Sequence, residues 1–232
     1  MNIKEVICNS VYFGVVISIL GYVIGLAIRK KFRKGFLNPL LISVLFVIAV
    51  LLIFHIDYDS YNQGAKYISY FLTPATVCLA IPLYQQLEML KKNLKAVLIG
   101  ISAGVLSSLG SVLGLSYLFH LTHIQYVTLL PKSITTAIGI GVSDELGGIT
   151  TITVAVIIVT GVLGNVIAES ICKLFRIKEP VAVGLAIGTS SHAVGTAKAL
   201  ELGEIQGAMS SLSIVVSGLL TVISASIFAQ LL

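Results

Sequence analysis

Tryptophan is absent from this 232-residue sequence, and Asp, Glu, Lys and Arg together make up only 11% of it. Soluble domains carry roughly 25% charged residues, so this chain has too few to clothe a water-facing surface. Nor does it contain a polar stretch long enough to fold as a separate domain. Cysteine is limited to Cys8, Cys78 and Cys172. That set is odd in number, scattered and mostly in apolar runs, so it reads as small core hydrophobes rather than a disulfide or metal framework. Enzyme signatures are missing too. There is no H-E-x-x-H, no phosphate-binding glycine loop and no second membrane Asp to partner Asp144, and no carboxylate stands at triad spacing from the adjacent Ser191 and His192. The expectation is a protein that is not an enzyme and uses neither cofactor nor metal. Nothing resembles a nucleic-acid module, so nucleic acid is not an expected partner.

What the sequence has in abundance is apolar residues, 56% of the total, with a mean hydropathy of +1.02. The expected fold class is an all-α polytopic membrane protein, a single integral membrane domain over 1–232. At ~20 residues per helix the length suits about seven to eight transmembrane or re-entrant segments. Apolar runs fall near 11–28, 38–56, 67–84, 95–119, 127–143, 150–174, 181–200 and 207–231. The first is followed at once by Arg29, Lys30, Lys31, Arg33 and Lys34. A signal peptide places its basic residues before the apolar run, so this order implies a first transmembrane helix. The second run starts at Asn38-Pro39, a helix-start signal, and the polar, aromatic stretch 57–61 after it reads as an interfacial loop.

The net charge of +5 matters less than its placement. Short loops rich in Lys and Arg lie on the cytoplasmic side. That puts 29–37 inside, the N-terminus outside and Lys91, Lys92 and Lys95 inside. Two further full spans would then carry Lys173, Arg176 and Lys178 outside, against the rule. The conflict disappears if 127–149 is broken or re-entrant. Pro131, Gly139, Gly141, Gly147 and Gly148 interrupt that segment, and Lys132, Asp144 and Glu145 charge it. Irregular backbone at membrane depth is tolerated where it is buried or lines a cavity. A shift of 57 positions also aligns Pro74 with Pro131, Glu88 with Glu145 and Gly104 with Gly161, which marks a candidate internal repeat. Shared membrane composition is the plainer account of it.

Three polar interruptions stand out: T-P-A-T at 73–76, P-K-S-I-T-T at 131–136, and G-T-S-S-H-A-V-G-T-A-K-A-L-E at 188–201. The last two look like helix starts, whose free N–H groups and partial positive charge attract anions. Candidate substrate-binding residues are therefore Lys132, Ser133, Thr135, Thr136, Ser190, Ser191, His192, Thr196 and Lys198. Asp144, Glu145 and Glu201 are candidates for ion coupling. Each has a plainer alternative. Lys198 and Glu201 can pair at i, i+3, His192 can donate to a backbone carbonyl, Asp144 and Glu145 can sit in a polar loop, and the hydroxyls can bond back to i−4 carbonyls.

The runs F-L-T-P-A-T-V-C-L-A-I-P-L-Y at 71–84, L-P-K-S-I-T-T-A at 130–137, E-L-G-G at 145–148, the stretch 188–201 and G-A-M-S-S-L at 207–212 together resemble the LrgB/CidB family of bacterial membrane proteins. The resemblance covers essentially the whole chain. It implies two competing roles. One is a holin- or antiholin-like regulator of murein hydrolase export and autolysis, working with a small LrgA/CidA-type membrane partner. The other is a transporter of small carboxylates, pyruvate in bacteria and glycolate or glycerate in the related plastid envelope protein. A lysine beside a helix start suits an anion site, so the carboxylate transporter is the expected reading. A homo-oligomer is compatible with either role.

Overall fold

The structure, a computed structural model, describes residues 10, 12–32, 39–71, 74, 77–78 and 80–232. Cys8, Arg33, Lys34, Asn38 and most of the 73–76 interruption lie outside the described residues. Among the described residues every regular element is a helix. The chain divides into two compact units, residues 1–78 and 79–232.

In the first unit α1 (Phe13–Phe32) packs against α2 (Pro39–Ile53) and α3 (Tyr58–Ser69). The Ser18 hydroxyl donates to the Gly14 carbonyl at 2.7 Å and lies 2.8 Å from the Tyr61 hydroxyl. The interfacial loop expected at 57–61 is instead the start of a helix. Asp57 caps α3 by accepting from the Asp59 N–H at 3.0 Å, a local bond that makes a polar stretch helical.

The second unit runs α4 (Ala80–Gln85), α5 (Leu87–Lys92), α6 (Leu94–Leu118), α7 (His123–Leu129), α8 (Thr136–Glu145), α9 (Thr150–Leu174), α10 (Pro180–Leu202) and α11 (Glu204–Ala229). Helix α10 lies along α11 and is flanked by α6 and α9. Among the described residues α1, α6, α9 and α11 are long and apolar enough to cross a membrane, and α2 is a shorter apolar helix. The protein is a polytopic helical membrane protein.

The last helix is more polar on its buried side than on its exposed one. Helix α11 buries Ser210, Ser213, Ser217 and Thr221, while Val215, Leu219, Ile223 and Ile227 on the opposite stripe are 58–66% exposed. In water that distribution would be unstable. In lipid it is expected, because small and hydroxylated residues let helices approach closely and hydrogen-bond to one another.

Segment 127–149 is discontinuous, as the charge count required. Helix α7 stops at Leu129, a turn runs through Pro131–Ile134 with Ile134 N–H donating to the Pro131 carbonyl at 3.3 Å, and α8 starts after an extended Thr135. Helix α8 ends in a Schellman cap. Gly147, at φ 75°, donates to the Asp144 carbonyl at 3.1 Å, and Gly148 donates to that of Ser143 at 2.7 Å. The E-L-G-G motif is thus a helix terminator.

Three other helices end on the same device without glycine, at Ile53-Phe54-His55-Ile56, Leu118-Phe119-His120-Leu121 and Leu174-Phe175-Arg176-Ile177. His55, His120 and Arg176 have φ of 49°, 51° and 56°. Each donates to the carbonyl three residues back while the next residue donates five back, as from Arg176 to Lys173 at 3.1 Å and from Ile177 to Cys172 at 2.8 Å.

Candidate functional site

Helix α10 is itself broken, in the middle of the polar stretch that dominates the sequence. His192 has φ 42° and ψ −142°, a backbone region that side chains rarely enter and that costs about 1–3 kcal/mol. Neighbouring helices hold it there. The buried His192 ring places Nε2 3.0 Å from the Ile157 carbonyl of α9, to which it donates. Asn165 Nδ2 donates to the Val194 carbonyl at 2.6 Å, which ties α9 to the chain just past the break. Thr196 donates to the His192 carbonyl at 2.9 Å and lies 2.7 Å from the Ser210 hydroxyl of α11. Glycine makes the approach possible. A Cβ on Gly161 would stand 2.6 Å from His192 Cε1, and one on Gly164 would overlap the Ser191 side chain.

Beside this break is a cavity of about 510 Å³ between α9 and α10. Its polar lining is Lys132, Thr160, Ser190 and Ser191; Leu163, Ile167, Ile171 and Ile187 supply aliphatic wall. Lys132 enters from the turn between α7 and α8, so both broken segments meet at one cavity. Its ammonium donates to the Ser133 hydroxyl at 3.1 Å, and Ser133 lies 2.9 Å from the Ser108 hydroxyl of α6. Among the described residues no carboxylate pairs with Lys132. A half-buried cation so placed favours a bound anion over an empty cavity.

Of the residues singled out by sequence, Lys132, Ser190 and Ser191 share this cavity, and Ser133 positions Lys132. Thr135 and Thr136 start α8 without lining it. His192 and Thr196 are buried in the packing that holds the break. Lys198 is elsewhere, 3.1 Å from Glu169 and 3.4 Å from Glu201. Asp144 and Glu145 are exposed at the end of α8. Among the described residues no three His, Cys, Asp or Glu side chains gather as metal ligands would.

Residues 18–231 match the profile of the LrgB-like family. The chain is 39% identical over 224 residues to the antiholin-like protein LrgB of Bacillus subtilis (strain 168), an alignment covering 96% of this chain and 97% of that one. It is 37% identical over 218 residues to the antiholin-like proteins LrgB of Bacillus mycoides (strain KBAB4) and Bacillus cereus (strain B4264), covering 94% of this chain and 95% of each of those. The chain belongs to the LrgB-like family. No solved structure matches it.

Around the cavity and the break stand several residues that sequence reasoning did not single out as site candidates: Ser108, Thr160, Gly164, Asn165 and Glu169, with Gly161 noted only in the 57-residue shift. Glu169 carried a signal, since it is an acid inside the apolar run 150–174, and such residues are functional candidates by default. It also bonds Lys173 at 2.7 Å one turn on, and it ties α9 to the second half of α10 through Lys198. Gly104 and Gly161, which the 57-residue shift aligns, both face α10. A Cβ on Gly104 would stand 2.8 Å from Thr189 Oγ1, so the two aligned glycines admit α10 on its two flanks.

Proposed function

We propose that the chain is a transporter of small carboxylates of the pyruvate, glycolate or glycerate kind, working without a chemical step. The observation that carries this reading is Lys132, without a carboxylate partner among the described residues, in one cavity with Ser190 and Ser191. The substrate carboxylate would take the Lys132 charge and the two hydroxyls. Free N–H groups at the starts of α8 and of the second half of α10 would add their partial charge. Thr135, Thr136 and His192 are then indirect contributors, and Lys198 acts through its ion pairs. Asp144, Glu145 and Glu201 are where an ion-coupling role belongs. The setting is the bacterial cytoplasmic membrane, with the N-terminus outside.

A second reading is favoured by the names of the relatives, which back it better than they back transport. Antiholin-like proteins LrgB align over 94–96% of the chain, which points to regulation of murein hydrolase export and autolysis together with a small LrgA-type partner. Uptake of labelled pyruvate into vesicles holding this chain alone, then with its small partner, separates the two. Saturable uptake that unlabelled substrate competes away supports the transporter. Leakage of unrelated solutes at the same rate, rising steeply with protein density, supports the holin-like side of the second reading and overturns transport.

A further inference from the structure

Residue order along neighbouring helices shows which way each arm of the two broken segments runs. In α10 a Cβ on Gly195 would stand 3.1 Å from Ile187 Cγ2, although the eight residues between these positions would rise about 12 Å in a straight helix. Up to the break α10 runs parallel to α11, with Gly184 against Gln206 and Gly188 against Ser210. Past it the order inverts: Thr196 lies 2.7 Å from Ser210, and Leu200 packs on Gly207. The chain therefore doubles back at His192. Segment 123–145 does the same. Thr153 of α9 donates to the Thr128 carbonyl of α7 at 2.9 Å and lies 2.7 Å from the Ser143 hydroxyl of α8, while Gly139 faces Ile157. The two hairpins correspond at the 57-residue shift. The first ends at Glu145 and the second at Leu202, and Thr153 and Ser210 receive the two return arms.

Charge then assigns a face to each hairpin. With 123–145 returning to the side it left, α6 and α9 cross in opposite directions. Both basic groups, Lys91, Lys92 and Lys95 before α6 and Lys173, Arg176 and Lys178 after α9, then lie in the cytoplasm. Residues 123–145 thus enter from outside, and α10 enters from the cytoplasm. The ten residues of α8 span about 15 Å, half of the roughly 30 Å hydrocarbon core, which puts the tips at 131–135 and 188–192 near mid-depth. The outer tip brings Lys132 to the cavity, and the inner tip brings Ser190 and Ser191.

We infer that the hairpins are gates of opposite sidedness: α7 with α8 controls access to the cavity from outside, and α10 controls access from the cytoplasm. Opening one leaves the other tip in place with its polar groups. The gates would serve any anion, so they stand or fall apart from the carboxylate reading.

The test uses the full chain, free of native Cys, in right-side-out and inside-out vesicles. Single cysteines at the exposed positions His123 and Ile149 should react with an impermeant maleimide only from outside, and those at Glu179 and Glu204 only from the cytoplasmic face. Reaction at 204 from outside makes α10 a straight span and overturns the inner gate. Reaction at 149 from the cytoplasm overturns the outer one. Ser190→Cys then reports on the cavity, and it should react from both faces with the small impermeant anion methanethiosulfonate ethylsulfonate. Hydroxyls 2.7 Å apart mark positions within disulfide reach, so cysteine pairs there can lock each gate. Oxidised Ser143→Cys with Thr153→Cys should slow labelling at 190 from outside at least about tenfold, by removing the open population, and leave cytoplasmic labelling unchanged. Thr196→Cys with Ser210→Cys should do the reverse. Reduction should restore both, which controls for folding. Locks that slow both faces equally or neither, or a reporter that reacts from neither face, overturn the gates. Pyruvate that fails to slow labelling at 190 counts against the carboxylate reading alone.

Discussion

The two broken segments reach the same cavity by different physical routes. The break at 130–135 is written locally. Pro131 cannot donate into a helix, the turn closes on itself through Ile134, and Gly147 with Gly148 ends the short helix that follows. The break at His192 has neither proline nor glycine at its centre. Its left-handed backbone exists because α9 grips both sides of it, through Ile157 on the ring and Asn165 on the Val194 carbonyl. A locally encoded break should survive changes in its surroundings, and an imposed one should not.

The largest expected effect is therefore at Gly161. Gly161→Leu drives a side chain into His192 and should cost about 3 kcal/mol, the upper end for overpacking a filled interior. Pro131→Ala should cost about 1 kcal/mol or less, chiefly through the unfolded chain. Thermal unfolding followed by circular dichroism compares them, and equal costs would erase the contrast. Next comes Asn165→Ala, which leaves the Val194 carbonyl without its 2.6 Å donor and should lose about 1–3 kcal/mol.

Binding sharpens the comparison from the other side, because Lys132 belongs to the locally encoded break. A charge-assisted hydrogen bond contributes roughly 1.5–3 kcal/mol. Lys132→Ala should therefore raise the half-saturation concentration for carboxylate about ten- to a hundredfold, with expression and unfolding temperature unchanged. Ser191→Ala should do so to a smaller degree, and Lys91→Ala, on the exposed face of α5, should do nothing. Transport by both cavity variants at parental rates would place the site elsewhere.

Smaller still is a reversal of the usual helix preference. Both His192→Gly and His192→Ala lose the bond to Ile157, but only glycine enters the region at φ 42° without penalty. The glycine variant should therefore be about 1 kcal/mol the more stable, although glycine inside a regular helix is the worse by about that amount. Alanine as the better residue would show that the break is not imposed. The last test carries no energetic cost. If 127–149 does not cross as one span, Lys31 and Lys178 share the cytoplasmic side. Cysteines placed at both positions in a variant free of native Cys should resist an impermeant reagent added outside.

Much of the helix framework was legible because it depends on neighbours in sequence. The apolar runs at 95–119, 150–174 and 207–231 end within a few residues of α6, α9 and α11. Polar content at 131–136 and 188–201 marked both segments that meet at the cavity. The caps at Phe119-His120 and Phe175-Arg176 were missed, because a left-handed cap is usually read from glycine. The helix at 58–69 was missed because a capping aspartate and a polar, aromatic stretch also describe a loop.

By itself, the sequence determined that this is a membrane protein, where its apolar segments run, and that proline divides 127–149. Each of these follows from hydrophobic content or from the geometry of one residue, and both act at short range. Only the tertiary structure decided which lysine has, among the described residues, no carboxylate beside it. The sequence already set Glu201 one turn from Lys198, but it took the packing of α9 to bring Glu169 to Lys198 and an open cavity to Lys132. The bend at His192 was decided in the same way, by groups on α9 far from it in sequence. Charge pairing and backbone strain depend on what packs nearby, and in this chain those neighbours lie a whole helix away.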